Sequence, residues 1–331
     1  MEIKVIKNIK DFENLNENWT DTLNKSKHKN VFQGHEINYS SFNFLLNKEK
    51  LFIIVFYNQS ITQAIFPCYI DNKKSLRFIN DIHFDFCGPI ILENANINKI
   101  FKNFSKFINS TNQINSINFK NLSSNFILDQ LVFNFKYNRS VYADVQHSVI
   151  TNFKNWSNLN SSKKAEIKRI DKKYINSKSI NSKSINISEI TQLRDSMIKS
   201  NNRSKNFLDD NFINWINHLF KNNIIEIKKF IFESKTLALS FHLKSDNYRI
   251  IWIDLYISKK AINIAHYIKF IQKSKENKIS FGRGTYPYKM KNFDPVPINL
   301  YNFIYHKSFF SFFFFKIKKC LKEIIKYLIK F

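Results

Sequence analysis

The sequence predicts a mixed α/β (α+β) protein of two similar domains, each a mixed, mostly antiparallel sheet flanked by helices, followed by an amphipathic tail helix. The chain has 331 residues, enough for two domains at roughly 100–200 residues each. Both halves run through the same order of patterns: helix, hairpin, strand, helix and strand. The last segment differs from both in composition. We therefore expect domains over residues 1–150 and 151–304 and a tail helix over 305–331.

Helix and strand patterns alternate through the first half. Apolar residues at helix spacing, among them Phe12, Trp19 and Leu23, predict a helix over residues 9–25. Two β-rich runs with a short polar break between them predict a hairpin. The hairpin strands fall at 51–57 and 61–70, and further patterns predict strands at 76–80 and 116–122 and a helix at 97–109.

The second half opens with a basic helical segment over residues 154–174. The pentapeptide Asn-Ser-Lys-Ser-Ile then occurs twice in tandem, over 176–185, which we interpret as a duplication in a surface loop or strand edge. Later patterns predict helices at 188–201, 209–221 and 261–276, three antiparallel strands at 224–233, 236–245 and 248–257, and a closing strand at 278–282.

The composition excludes several classes of protein. Apolar residues are 44% of the chain, and only four glycines and five prolines occur, which excludes collagen-like and Pro-rich disordered chains. Three cysteines without metal-ligand spacing predict neither a disulfide framework nor a zinc site. No signal peptide is visible, and no run reaches the roughly 18 apolar residues of a membrane span. We therefore expect a cytoplasmic protein without a metal ion.

The chain is strongly basic, with 52 − 26 = +26 formal charges. Such a charge attracts polyanions: nucleic acid, anionic lipid or phosphate-bearing substrates. The lysines are spread along the chain rather than gathered in one patch. The Lys-, Asn-, Ile- and Phe-rich composition of an AT-rich genome is the alternative explanation. Nucleic acid is therefore not favoured as a partner, except as a tRNA donor.

The tail carries a basic amphipathic helix. On a helical wheel Phe313, Ile317, Leu321 and Ile324 share one face, and most of the lysines lie opposite. Three interpretations stay open: contact with an anionic membrane surface over 309–331, docking on the protein's own core, and binding to a partner protein.

The most specific local motif is FGRGTYPYKMKNF, residues 281–293. Two of the four glycines stand one residue apart, which indicates a backbone requirement directly after a strand. The side chains around them form a cationic, hydroxyl-bearing rim that can grip phosphates or orient a nucleophile. These candidate substrate-binding and catalytic residues are Arg283, Gly284, Tyr286, Tyr288 and Lys289.

At these residues the sequence resembles the BioF2-like (CelD-type) acetyltransferases of the GNAT superfamily, which are similar to the tandem-GNAT FemAB transferases. The resemblance rests on LALSFHLKSDNYRIIWIDLY (237–256), on the helix after it, and on Phe281, Arg283, Gly284, Tyr288 and Lys289 in the closing motif. Trp19, VFQGHEI (31–37) and DIHFDFCG (81–88) follow the family's opening order.

The resemblance implies an N-acyltransferase that moves an acyl group from acyl-CoA to an amine of a cell-envelope or polysaccharide precursor. It implies a pyrophosphate site at the start of the helix over 261–276, with Lys259, Lys260 and Asn263 as cofactor-binding residues. Asp254 is a candidate base by position, because strand alternation places Trp252, Asp254 and Tyr256 on one face. His266 and Tyr288 are further catalytic candidates. Asp85, in the Asp-rich turn, is a candidate substrate ligand.

Two positions depart from the family pattern. Ser280 stands where the family has an acid, and the turn before the long helix lacks glycine. Two alternatives therefore stay open: a catalytically decayed GNAT-fold binding protein at the membrane surface, and a FemAB-like transferase that takes aminoacyl-tRNA.

Overall fold

The computed structural model describes residues 1–151, 156, 159–200, 202–245, 248–257 and 261–328. Within them the chain forms two compact units. The first comprises residues 1–42, 46–144 and the chain from Leu300 onwards, and the second comprises residues 43–45 and 145–299. The boundary expected at residue 150 falls inside a strand, and the C-terminal segment belongs to the first unit.

The first unit contains two groups of strands and six helices among its described residues. Its strands are β1 (Glu2–Ile6), β2 (Lys50–Leu51), β3 (Ile53–Asn58), β4 (Ile61–Phe66), β5 (Cys68–Ile70), β6 (Ser75–Phe78), β7 (Ile90–Ile91) and β8 (Ser116–Leu122). Its helices are α1 (Ile9–Asn14), α2 (Asn16–Asn24), α3 (His35–Leu45, whose last turn belongs to the second unit), α4 (Ile97–Ser110), α5 (Asn125–Asn134) and, at the C-terminus, α11 (Phe309–Leu328).

The sheets of the first unit follow from its hairpins. The expected β3–β4 hairpin forms, with Gln59 and Ser60 at positive φ in the tight turn, and β1 and β7 extend it in the order β1-β3-β4-β7. Pro67 divides the expected second strand into β4 and β5, since proline cannot donate to a ladder. The strands β2, β5, β6 and β8 continue in the order β2-β5-β6-β8 to residues 300–306 of β15 (Val296–His306).

Aromatic rings fill the core of the first unit. Phe12 and Trp19, both fully buried, pack with centroids 5.6 Å apart, and the Trp19 indole N–H donates to the Gln33 carbonyl at 2.7 Å. A second stack joins Phe66 to Phe104 at 4.5 Å. The helix expected over 9–25 is interrupted at Leu15, so its apolar residues are shared between α1 and α2.

The second unit carries one mixed sheet with helices. Its strands are residues 145–151 of β9 (Arg139–Thr151), β10 (Lys178–Asn181), β11 (Glu226–Phe232), β12 (Lys235–Ser245), β13 (Tyr248–Tyr256) and β14 (Lys278–Arg283). Its helices are α6 (Ser161–Lys173), α7 (Ile187–Lys199), α8 (Asp210–Lys221), α9 (Ile262–Lys273) and α10 (Pro287–Phe293).

The strands of the second unit lie in the order β10-β11-β12-β13-β14-β9. Every described pairing is antiparallel except that of β13 with β14, which is parallel because α9 returns the chain between them. Part of the tandem repeat over 176–185 forms the short strand β10 at the edge of the sheet. A strand edge was one of the two positions that the sequence analysis gave for this repeat. The mixed, mostly antiparallel sheet flanked by helices confirms the predicted fold class.

None of the helices in the described part of the chain is long and apolar enough to cross a membrane.

Replacing Trp19 tests the core of the first unit. Trp19→Ala removes a fully buried ring and a buried hydrogen bond, and we expect a loss of about 3–5 kcal/mol in unfolding free energy, measured by urea denaturation. The control is Phe133→Ala, because the Phe133 ring is 71% exposed, and we expect a change within about 0.5 kcal/mol. Equal effects of the two substitutions would contradict this assignment of the core.

Candidate functional site

The parallel strands β13 and β14 separate part-way along their length. They pair at three positions, Tyr248–Ile250 with Lys278–Ser280. Beyond that point β13 continues over residues 251–256 and β14 over 281–283, and these described stretches do not pair with each other. Past Ile250 and Ser280 the pairing of the two strands has ended, and we call this separation the opening. We take this opening as the candidate site.

A β-bulge in β13 sets which side chains reach the opening. Phe241 lies opposite Ile253, and His242 lies opposite Ile251, so Trp252 is the extra residue. The Trp252 ring packs against Trp215 of α8 at 5.5 Å. The expectation that Trp252 shares a face with Asp254 and Tyr256 is therefore wrong for Trp252, because the bulge interrupts the alternation, whereas Asp254 and Tyr256 follow it in regular register.

Asp254, two residues after the bulge, is the polar centre of the opening. Its carboxylate accepts from the hydroxyl of Tyr267 in α9 at 3.2 Å and from that of Tyr288 in α10 at 3.4 Å. The Arg203 guanidinium lies 3.5 Å away, and the Asp254 side chain is 14% exposed. Three groups from three segments thus converge on one carboxylate, and two of them bridge β13 to the elements around β14.

Burial and the neighbouring charges in this cluster shift the pKa values of Tyr267, Tyr288 and Arg203 upward, so all three side chains keep their protons. Burial raises the pKa of the Tyr267 and Tyr288 hydroxyls well above its ordinary value, and the negative charge of Asp254 raises it further. Both hydroxyls therefore stay protonated and donate. Burial alone would lower the pKa of Arg203, but the Asp254 carboxylate outweighs it and raises that pKa, so the guanidinium stays charged.

The two glycines of the 281–293 motif meet a backbone requirement, as expected. Gly282 has φ 69° and Gly284 has φ 93°. A β-bulge lies here as well, because Ser280 pairs with Val149 whereas Arg283 pairs with His147. The Gly284 N–H donates to the Gln146 carbonyl at 2.7 Å, and a Cβ at this glycine would lie 2.7 Å from the Tyr286 ring.

The rim residues of the motif belong to one local structure. The Lys289 ammonium is buried and donates to the carbonyl of Phe281 at 2.5 Å and to that of Gly284 at 3.4 Å. It also lies 5.0 Å from the Tyr286 ring, which stacks on Tyr288 at 6.1 Å. Lys289 therefore holds the end of β14 in its bulged path, and Tyr288 connects this end to Asp254. Arg283 is the last residue of β14 and is half-buried.

His266 lies in the buried core of the second unit, behind the cluster. The Ser240 hydroxyl is 2.7 Å from its Nε2 and 2.6 Å from Nε2 of His242. One hydroxyl hydrogen can serve only one ring, so the other ring donates from Nε2. Burial lowers the pKa of His266 to about 4, with the Asp254 charge acting in the opposite direction, and His266 is neutral at pH 7.

The remaining site candidates belong to other elements or fall outside the described residues. Asn263, in the first turn of α9, accepts from the Ile264 N–H through its own side chain. Asp85 is buried in the first unit. Lys259 and Lys260 lie outside the described residues. Among the described residues, no group of three or more His, Cys, Asp or Glu side chains is arranged to hold a metal ion.

Sequence reasoning missed Arg203, Tyr267 and Ser240. Arg203 comes from a polar loop 51 residues before Asp254, and no local spacing links the two. The scarcity of arginine, seven in 331 residues, was a usable signal for Arg203. Tyr267 directly follows His266 on α9. Consecutive side chains on a helix point about 100° apart, so choosing His266 as a candidate did not lead to Tyr267.

No family model matches the chain, and no curated protein matches it. The solved structure of FemX is similar at a TM-score of 0.61, with 7% identity over 92% of this chain and 97% of FemX. The structure of L-PGS from Bacillus licheniformis is similar at a TM-score of 0.57, with 12% identity over 88% of this chain and 92% of L-PGS. A tandem GNAT protein from the clavulanic acid biosynthesis pathway matches at 0.55, with 6% identity over 93% and 99%. The chain has a tandem GNAT fold. The resemblance read from the sequence is confirmed at the level of this fold.

The buried state of His266 predicts how stability changes with acid. Unfolded histidine binds a proton near pH 6.5, while folded His266 does so near pH 4, so between these values protons favour unfolding by about 1.4 kcal/mol per pH unit for this residue. We expect His266→Gln to reduce the slope of unfolding free energy against pH by about one proton between pH 6.5 and 4, measured by urea denaturation. The exposed His28, changed to Gln, is the matched control and should leave the slope unaltered.

Proposed function

We propose that the protein is an N-acyltransferase that moves an acyl group, from acyl-CoA, to an amine on a cell-envelope or polysaccharide precursor. The observation that supports it best is the separation of β13 from β14 with the Asp254 carboxylate inside the opening. In the GNAT fold implied by the resemblance, the acyl donor lies beside such separated strands. In such a place a backbone N–H that faces the acyl carbonyl would stabilise the developing oxyanion.

The reaction joins the acceptor nitrogen to the acyl carbon and breaks the bond from that carbon to the donor sulfur. One N–H proton leaves the amine, and one proton is taken up by the departing thiolate, so the step needs no oxidant or reductant. The acceptor must attack as a neutral amine, and a group within hydrogen-bond reach must take its proton. The reaction therefore needs an anionic side chain that takes the amine proton and, close to it, a protonated hydroxyl that donates to the leaving thiolate.

Asp254 and Tyr288 provide these two groups in the proposal. Asp254 accepts the proton, and Tyr288, whose raised pKa keeps it protonated, donates to the leaving group. Tyr267 and Arg203 are positioning residues that orient the carboxylate. Lys259 and Lys260, which precede α9 in the sequence, and Asn263 in its first turn are proposed to bind the donor pyrophosphate. His266 is proposed to act through Ser240 and the packing of α9, because its ring is buried.

Arg283, Gly284, Tyr286, Lys289 and Asp85 remain proposed substrate-binding residues. Tyr286 is 45% exposed beside Tyr288 and offers a surface on which an acceptor can stack. The acceptor class rests on the resemblance to FemAB-like transferases. Another similar solved structure is a C-terminal domain assigned to a lysylphosphatidylglycerol synthetase from Agrobacterium fabrum, a name that refers to a phospholipid. A cytoplasmic location at the inner face of the membrane fits such an acceptor.

A second candidate function is favoured by the similarity to FemX and by the net charge of +26: a transferase that takes aminoacyl-tRNA. The same carboxylate and hydroxyl would serve an ester donor, with oxygen in place of sulfur as the leaving atom. A third candidate is a catalytically decayed binding protein. Ser280, buried and accepting from the Gly282 N–H at 3.1 Å where the family has an acid, favours it.

Ligand-dependent unfolding separates these candidates. We expect acetyl-CoA or longer acyl-CoAs to raise the unfolding free energy of the intact chain by about 2.7 kcal/mol at a hundred times the dissociation constant, measured by thermal shift. Lys259→Ala/Lys260→Ala should abolish the increase, while Lys205→Ala, an exposed lysine of the same unit, should retain it. Stabilisation by aminoacyl-tRNA but not by acyl-CoA would identify aminoacyl-tRNA as the donor. If neither ligand stabilises the protein, the catalytically decayed binding protein becomes the favoured candidate.

Removing the charge of Asp254 tests the chemistry. We expect Asp254→Asn to lower the kcat for thiol release from acyl-CoA, in the presence of a panel of amines, by about 100-fold or more, because the amide cannot take the proton. Donor affinity should change little. Asp210→Asn, whose parent side chain is 96% exposed, is the control. Full activity of the Asp254 variant would overturn the assigned role.

A further inference from the structure

One side of α11 is apolar and uncovered. Eight large apolar side chains on this helix are between 40% and 72% exposed, and we call them the tail stripe: Phe309, Phe310, Phe313, Phe314, Ile317, Leu321, Ile324 and Ile325. At about 100° and 1.5 Å per residue they fall on one side of the helix and form a band about 24 Å long. A contiguous apolar band of this size on a surface marks an interaction site.

The opposite side of α11 contacts the first unit. Phe312 and Phe315 pack against His306, with centroids 6.2 and 5.3 Å apart. The Lys319 ammonium lies 3.7 Å from the centre of the Tyr142 ring, and Lys316 lies 3.4 Å from the Ser140 hydroxyl. An ordinary surface helix turns its apolar side to the protein, but α11 turns its apolar side away from the unit that holds it.

The charges beside the tail stripe select the occupant. Residues 309–328 carry five lysines and one glutamate, 5 − 1 = +4. Lys318 and Lys322 are exposed, and on the helical wheel Lys318 borders the stripe while Lys322 lies about 60° beyond its edge. A second copy of α11 would bring the same positive charges together, which opposes pairing of two stripes. The apolar stripe and the lysines beside it both match an anionic lipid bilayer, which has an apolar interior under a negatively charged layer of headgroups.

We propose that α11 is an interfacial anchor that lies in the headgroup plane of an anionic bilayer, with the tail stripe in the acyl boundary and Lys318 and Lys322 at the phosphates. The contacts to His306 and Tyr142 fix the helix so that the stripe points outward before any lipid is met. The helix carries too many charged side chains to cross the bilayer, so it lies along the surface. This inference goes beyond the proposed transfer reaction, and its test uses no enzymatic activity.

The test is flotation of the full chain with phosphatidylcholine vesicles that contain either no anionic lipid or about 30% phosphatidylglycerol. We expect binding to the anionic vesicles that weakens with added salt, and much weaker binding to the neutral ones. Phe313→Asp/Ile317→Asp should reduce binding by about tenfold or more, because it places charge in the stripe. Lys318→Glu/Lys322→Glu should reduce binding to anionic vesicles and leave the weak neutral binding unaltered.

The control is Phe133→Asp, which replaces another exposed ring of the first unit by one aspartate, and it should bind nearly as the parent does. Urea denaturation midpoints equal to the parent's show that the variants are folded, which is expected since the substituted side chains are exposed. The proposal is overturned if the stripe variant binds anionic vesicles as tightly as the parent. It is also overturned if the parent ignores vesicles and forms a dimer, in light scattering, that the stripe variant abolishes.

Discussion

The second unit is organised around a carboxylate placed where two parallel strands part. Asp254 is nearly buried, and an ionised group in such a place needs donors or a counter-charge. Tyr267 brings α9 to it, Tyr288 brings α10, and Arg203 brings the loop after α7. The helices and the loop around the opening are thus connected through the two oxygens of the Asp254 carboxylate.

The two bulges explain how the carboxylate comes to face the opening. The extra residue in β13, Trp252, sends its ring to α8 and shifts the following residues by one, so that Asp254 meets α9. The bulge near Gly282 bends the end of β14, and Lys289 fixes that bend through backbone carbonyls. Bulges that re-aim side chains beside a functional cleft are a general device of sheets. Here both strands that border the opening carry one.

The polar side chains behind the opening, Ser240, His242 and His266, are neutral. Ser240 links His242 and His266, and burial lowers the pKa of both rings, His266 to about 4. A neutral network beside Asp254 adds no counter-charge that would compete with Arg203. The net positive charge lies elsewhere, on the surface and along α11, where the lysines border an exposed apolar band.

The sequence alone determined the class of fold and many of its elements, because apolar periodicity reports local structure directly, but it did not predict β1, α3, β9 or β15. It located the β3–β4 hairpin, the strands β11 to β14, the helix α9 and the amphipathic character of α11. It also located the glycines of the 281–293 motif, because a chain with four glycines places them where the backbone requires them.

Only the tertiary structure decided which side chains meet. A single extra residue in β13 reverses the faces of a strand, and no propensity in the local sequence specifies a bulge there. Arg203 and Asp254 lie 51 residues apart and meet only because the sheet and helices fold between them. The pattern of α11 gave an apolar side but not its direction. Its contacts with His306 and Tyr142 set that direction, and they depend on residues far along the chain.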